Sequence, residues 1–139
     1  MTRISASIQP IELCDKMLMA EHREIIRIPN TIKSGKAKVN LSKIPLNFKL
    51  GTGHVIFFYD KLKYLHNRYK LLYLECLDRG FNVQNYNSCF ENLPEHLYNA
   101  WQEDLKARKV VVERINTRLQ TMKSIKYCSE NVDYNFMKL

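Results

Sequence analysis

No stretch of this chain approaches the roughly 18 to 20 consecutive apolar residues that cross a bilayer. Its polar start, Thr2-Arg3-Ile4-Ser5, also lacks the apolar core of a secretory signal. These absences lead us to expect an intracellular protein that does not enter a membrane, in the cytoplasm of its host cell or in the nucleus if that host is eukaryotic. Cysteine is scarce and carries no ligand pattern. Cys14, Cys76, Cys89 and Cys128 show neither CxxC nor Cys/His spacing, so reduced thiols are expected, with no metal and no cofactor. Acidic residues are the minority, 14 against 22 basic ones, and the resulting charge of +8 favours polyanions, nucleic acid first among them. At 139 residues the chain is long enough for one real core and too short for two, so residues 1–139 read as a single domain and a monomer. No repeat, low-complexity tract or linker divides it.

What is present is mostly helical patterning. A first helix is expected from Pro10, a good first-turn residue, to no further than Pro29. Ile11, Cys14, Leu18 and Ile25 share one of its faces, and Lys16, Ala20, Arg23 and Arg27 the opposite one, with Glu24 at the edge of that basic face and Met17 close beside it. Residues 30 to 53 break every period and scatter Lys33, Lys36, Lys38, Lys43 and Lys49, giving a basic loop that either contacts phosphates or is merely solvated. Val55, Phe58, Leu62, Leu65, Tyr69, Leu72 and Cys76 repeat at three and four residues, and Gly80 supplies a stop, which makes this the central packing helix. A loop then leads through Pro94 into a third helix, striped by Trp101, Leu105, Val112, Ile115, Leu119 and Met122. Arg114 and Arg118 lie one turn apart on another face, placed to bind adjacent phosphates or simply to face water. The tail after Tyr127 reads as short and irregular. The fold class is all-α: three main helices with irregular basic loops.

The chain start also carries chemistry. Removal of Met1 would leave the Thr2 α-amine beside Arg3. An α-amine has a reference pKa of about 7.7 to 8.0, so a minor fraction is already an unprotonated nucleophile at neutral pH, and nearby cations enlarge that fraction. The stretch from Thr2 to Gln9 extends at most about 26 Å and the helix from Pro10 to Glu24 rises about 21 Å, so the tail can run back along its own helix to Glu24.

The run Gly51-Thr52-Gly53-His54-Val55-Ile56-Phe57-Phe58-Tyr59-Asp60-Lys61-Leu62, continuing to Glu75-Cys76-Leu77-Asp78-Arg79-Gly80-Phe81-Asn82, together with Met1-Thr2-Arg3-Ile4 and Leu18-Met19-Ala20-Glu21-His22-Arg23-Glu24, closely resembles the pyrimidine-dimer DNA glycosylase and AP lyase family, of the phage endonuclease V type. The resemblance covers roughly the first 82 residues and only loosely the last third. It implies a compact all-α fold on three helices and an enzyme that cuts double-stranded DNA at ultraviolet-induced cyclobutane pyrimidine dimers. It further implies that Thr2 is the nucleophile that attacks the sugar C1′ and leaves an imine, and that Glu24 is the catalytic carboxylate. Arg3, Arg23 and Arg27 would surround the lesion, and Arg114 and Arg118 would contact DNA from the last helix.

Those residue types suit the chemistry. Base loss makes C1′ cationic, which a carboxylate stabilises. Abstraction of a C2′ proton from the imine then expels the 3′ phosphate. The lesion sugar lies within a duplex, so the DNA must kink or a nucleotide must flip. Two departures stand out. Met17 occupies a position where the family commonly has a histidine, leaving a polar contact to be supplied elsewhere, with His22 a candidate. The family's aromatic C-terminal motif is reduced to Ser124-Ile125-Lys126-Tyr127-Cys128. Other readings are therefore the same imine chemistry on another damaged base or an abasic site, and a DNA-binding relative without catalysis. Trp101 is expected in the core, His54 as a cap or backbone hydrogen-bonding group, and His66 and His96 at the surface.

Overall fold

The computed structural model describes residues 2–139. The fate of Met1 lies outside the described residues. The chain is mostly helical, as its periodicity requires, and its buried side chains form one cluster drawn from nearly every element. Among the described residues no helix is long and apolar enough to cross a membrane.

The first expected helix is broken twice. Pro10–Glu12 form one 3-10 turn, Leu13 and Cys14 are extended, and α1 spans Asp15–Glu24 before the chain bends at Ile25 and Ile26 into α2, Arg27–Lys33. Pro29 therefore does not end a helix. It occupies the first turn of α2, where its missing N–H has no helical partner to lose. Ile11, assigned to the apolar face, sits in the 3-10 turn and is exposed, whereas Cys14, Leu18 and Ile25 are buried as expected.

Of the loop expected over residues 30 to 53, residues 30–33 belong instead to α2, because the helix continues past Pro29, and residues 34–53 are irregular apart from a 3-10 turn at Leu41–Lys43. The central helix is split into α3 (His54–Phe57), a 3-10 turn (Phe58–Asp60) and α4 (Leu62–Asp78). Asn99 accounts for the break. Its side-chain amide donates to the Asp60 carbonyl at 2.9 Å and its own carbonyl accepts from the Tyr64 amide at 3.2 Å, so backbone groups freed by the kink stay paired. The apolar stripe crosses the kink intact: Phe58, Leu62, Leu65, Tyr69, Leu72 and Cys76 are all buried. Gly80, at φ 81°, ends α4 by letting the Phe81 amide reach back to the Cys76 carbonyl at 2.9 Å.

The last long helix starts later than Pro94 suggested. After 3-10 turns at Asn87–Phe90 and Glu95–Leu97, α5 spans Leu105–Thr121, capped by the Asp104 carboxylate, which accepts from the Ala107 amide at 2.7 Å. Leu105 is exposed at the helix start, and the buried stripe runs through Ala107, Val111, Ile115 and Leu119 instead. Trp101 belongs to the preceding loop. It packs against Phe48, Phe57, Phe58 and Tyr64, so it is a partly buried residue held against the core by aromatic contacts rather than by helical phase.

The tail is ordered where irregularity was expected. A hairpin of β1 (Ile125–Tyr127) and β2 (Glu130–Val132) pairs Lys126 with Asn131, and α6 (Tyr134–Met137) follows. Its tight turn holds Cys128 and Ser129 at positive φ, a strained choice for residues with a Cβ. The Asp15 carboxylate offsets this by accepting both turn amides, at 2.9 and 2.7 Å, and an Arg79 donor at 3.0 Å.

One buried ion pair ties α1 to α4. Arg68 grips Glu21 with two donors and gives a third to the Ile8 carbonyl at 2.8 Å. Both side chains are shut away from solvent, so replacing either alone would strand a charge and cost about 3 to 5 kcal/mol. This clamp fixes which face α1 turns outward.

Candidate active site

With Leu18, Glu21 and Ile25 held inward, the 3.6-residue period turns Lys16, Met17, Ala20 and Glu24 to the other side of α1. There they face Arg114, Ile115 and Arg118 of α5 across a cavity of about 330 Å³, with Arg3 and Ser5 at its end. A second cavity of about 670 Å³ adjoins it, lined by Thr2, Leu50, His54 and Glu113 and sharing Arg3, Arg114 and Arg118 with the first. Thr2 and Glu24 thus line neighbouring chambers of one cleft whose common wall is three arginines.

Residues 2–5 are pinned from both sides. The Ile4 amide donates to His54 Nε2 at 2.9 Å, and His54 Nδ1 donates to the Lys49 carbonyl at 2.8 Å. Burial holds the His54 imidazole below the usual histidine range, in keeping with a neutral ring whose Nε2 is an acceptor. On the other side Arg114 donates to Ser5 Oγ at 3.0 Å. Burial also lowers the Arg114 pKa, and Arg3 and Arg68 nearby act in the same direction, yet guanidinium remains a cation at neutral pH. Arg118 is exposed and, among the described residues, its side chain bonds to Thr121 alone, at 3.0 Å.

Of the seven residues singled out in the sequence, Thr2, Arg3, Glu24, Arg114 and Arg118 converge on this cleft. Arg23 and Arg27 line neither chamber. Both are exposed, and Arg23 stands 3.7 Å from Glu24 as a salt-bridge partner at the rim. Helix phase separates them from the cleft, because the bend at Ile25 turns Arg27 onto a new axis.

Met17 borders Glu24's chamber as expected, but His22 does not supply the missing polar contact. Its ring lies among Tyr69, Tyr73 and Tyr86, at centroid distances of 5.4, 6.0 and 5.4 Å, and burial pushes its pKa down. His66 also departs from expectation. It is partly buried, stacked on Phe90 and bonded to Tyr98 Oη at 2.6 Å and Asn87 Oδ1 at 2.7 Å. His96 is exposed, and His54 is the backbone-bonding group foreseen. Sequence reasoning missed Ser5 and Glu21. Neither carries a one-dimensional signal, since Ser5 matters through Arg114 and Glu21 through Arg68.

A helical domain with a cleft walled by arginines and bearing two carboxylates not locked into a buried pair, Glu24 in one chamber and Glu113 in the other, is the class of site suited to a phosphate-bearing substrate. The family model described as pyrimidine dimer DNA glycosylase matches residues 1–88. The chain belongs to the pyrimidine dimer DNA glycosylase family, whose work is DNA repair by excision of pyrimidine dimers.

Proposed function

We propose that the protein excises cyclobutane pyrimidine dimers through an imine to its own Thr2 α-amine and then cuts the strand by β-elimination, acting as a coupled AP lyase. The observation that carries this reading is the adjacency of Thr2 and Glu24 in chambers that share Arg3, Arg114 and Arg118. Once Met1 is removed, those three cations disfavour the ammonium form of Thr2 and keep more of the amine nucleophilic. The amine bonds to C1′ as the glycosidic bond breaks and its electron pair leaves with the base. Glu24 stabilises the positive charge that develops on the sugar. Loss of a proton from nitrogen and opening of the sugar ring give the imine. Removal of a C2′ proton, by Glu24 directly or through water, then sends electrons toward the imine and expels the 3′ phosphate. Arg118, exposed at the mouth, takes a backbone phosphate, while Arg114 and Arg3 line the path between the chambers. No step calls for a metal or cofactor.

A second reading, the same chemistry on another damaged base or on a pre-existing abasic site, is favoured by one observation. Tyr127, the remaining aromatic of the C-terminal segment, donates to the Ile11 carbonyl at 2.7 Å and lies under the Arg79 guanidinium at 4.2 Å. It is committed to holding the hairpin rather than free for a lesion. A binder without catalysis would need neither Thr2 nor Glu24.

Borohydride reduction in the presence of ultraviolet-irradiated duplex tests the proposal. Protein whose intact mass shows the loss of Met1 is expected to form a covalent adduct through Thr2. Absence of any adduct from such a preparation, on dimer or abasic DNA, would remove the imine mechanism. An adduct on abasic DNA alone would select the second reading.

A further inference from the structure

Beyond the two chambers, a third cavity of about 250 Å³ opens where the end of α5 passes the start of α1. It is lined by Lys16, Arg118, Thr121, Met122, Lys123 and Ser124, and it shares Lys16, Arg118 and Met122 with the chamber of Glu24. Its charge is all of one sign: three cations line it and, among the described residues, no acidic side chain does. Lys16, Arg118 and Lys123 are exposed, and none of the two lysines has a salt-bridge partner among the described residues, nor does Arg118. Like charges gathered in this way repel one another, and the partial negative charge at the C-terminus of α5 offsets only part of that repulsion. Arg118 donates to Thr121 Oγ1 at 3.0 Å while Thr121 donates to the Arg118 carbonyl at 2.8 Å, which holds the guanidinium against the last turn of α5. Ser124 adds an exposed hydroxyl.

We propose that this cavity seats the terminal phosphate that strand cleavage creates, the 5′-phosphate of the downstream strand. The inference rests on the β-elimination proposed above. In that step the C2′ proton passes to the base, the C3′–O bond breaks, and its electron pair stays on the phosphate oxygen. A diester with one negative charge thereby becomes a terminal monoester of about −1.5 to −2 at pH 7, with three unesterified oxygens to accept hydrogen bonds. Three cations gain more from that end than from any diester of an intact strand, and both ammonium and guanidinium groups give it charge-assisted hydrogen bonds.

The path into the seat is short. Arg118 borders all three cavities, so a phosphate held there in the intact strand needs only to turn toward Lys16 and Lys123 once one of its esters is gone. Before cleavage the strand on both sides restrains it. Afterwards it is a free end, and the cavity beside Glu24's chamber is open to it. The protein thus stays on the break it has made, and the two lysines govern how fast the cut strand leaves.

Fluorescence anisotropy of the full chain on a pair of nicked duplexes, alike except that the downstream strand begins with a 5′-phosphate or a 5′-hydroxyl, tests the seat without any turnover. Wild type is expected to bind the phosphate end at least ~10-fold more tightly. Lys16→Ala and Lys123→Ala should each cut that preference to roughly threefold, and the double variant should abolish it. Lys123→Arg keeps the charge and should keep the preference. Lys109→Ala removes an exposed α5 cation that lines none of the three cavities and should leave the preference as it is. Circular dichroism confirms that each variant is folded. Equal affinity of wild type for the two ends would overturn the proposal, and so would a preference that survives the Lys16→Ala/Lys123→Ala double variant. Borohydride trapping of the same preparation keeps the two readings apart. An adduct at Thr2 with no end preference removes the seat alone, whereas an end preference with no adduct supports the seat and removes the imine mechanism.

Discussion

His54 and Ile4, fifty residues apart, are joined by one hydrogen bond in which the Ile4 amide donates to His54 Nε2 at 2.9 Å. The opposite ring nitrogen is spent on the Lys49 carbonyl, so the imidazole is held as one neutral tautomer. Protonation would turn the acceptor into a donor aimed at a donor. The two residues before Ile4 are Arg3 and Thr2, and the position of the proposed nucleophile depends on an uncharged histidine.

Stability should therefore fall with acidification through a window set by this ring. The fold lowers the His54 pKa from its ordinary 6.5, so as pH drops the unfolded chain takes up its proton first. The contribution is complete above about 6.5 and is lost as pH falls toward the depressed folded value. His22 is shifted in the same direction by its own burial. Thermal denaturation from pH 5 to 7.5 should show this slope in wild type and a shallower one in His54→Gln and in His22→Phe. Only His54→Gln should also slow strand cleavage at pH 7.5. Equal slopes in all three proteins would remove both histidines from the acid response.

Glu24→Gln should lower base release and strand cleavage by about 10²- to 10³-fold while damaged-duplex binding stays nearly constant. The substitution keeps the size of the side chain and removes its charge, so it tests stabilisation of the sugar cation rather than packing. Single-turnover cleavage and a filter-binding titration on the same duplex supply the two readouts. Turnover close to wild type would reduce Glu24 to a partner of Arg23 at the rim.

The two arginines of α5 should separate. Exposed Arg118 is the proposed phosphate contact, and Arg118→Ala should reduce the slope of log K against log salt by roughly one, weakening damaged and undamaged duplex alike. Arg114 is half-buried and bonded to Ser5, so Arg114→Ala should lower the cleavage rate more than it lowers the salt slope. Fluorescence anisotropy at several salt concentrations, paired with cleavage assays, distinguishes them. An unchanged slope in Arg118→Ala would place α5 outside the DNA contact.

Much of this was legible in one dimension, and the exceptions share a cause. The stripe from Phe58 to Cys76 repeats at helical spacing, so its burial follows from the sequence even though Asn99 breaks the helix beneath it. The convergence of Thr2, Glu24, Arg114 and Arg118 was likewise visible through family resemblance. The signal failed where a residue's role is set by a partner far along the chain. Pro29 looked like a stop because the bend at Ile25 leaves no mark in the pattern. His22 looked available to Glu24 because nothing nearby in sequence announces Tyr69, Tyr73 and Tyr86. The tail looked loose because its turn is stabilised by Asp15, on the first helix.

The cleft has walls of different provenance. Glu24, Met17 and the N-terminal segment lie within residues 1–88, where the family pattern holds, while α5, which supplies Arg114, Ile115 and Arg118, lies wholly beyond it. Substitutions along α5 alter what the cleft grips and leave the groups opposite in place. On the proposed function, changes confined to this single helix are expected to re-address the cleft to a different distortion of the duplex while the proposed reacting groups stay as they are.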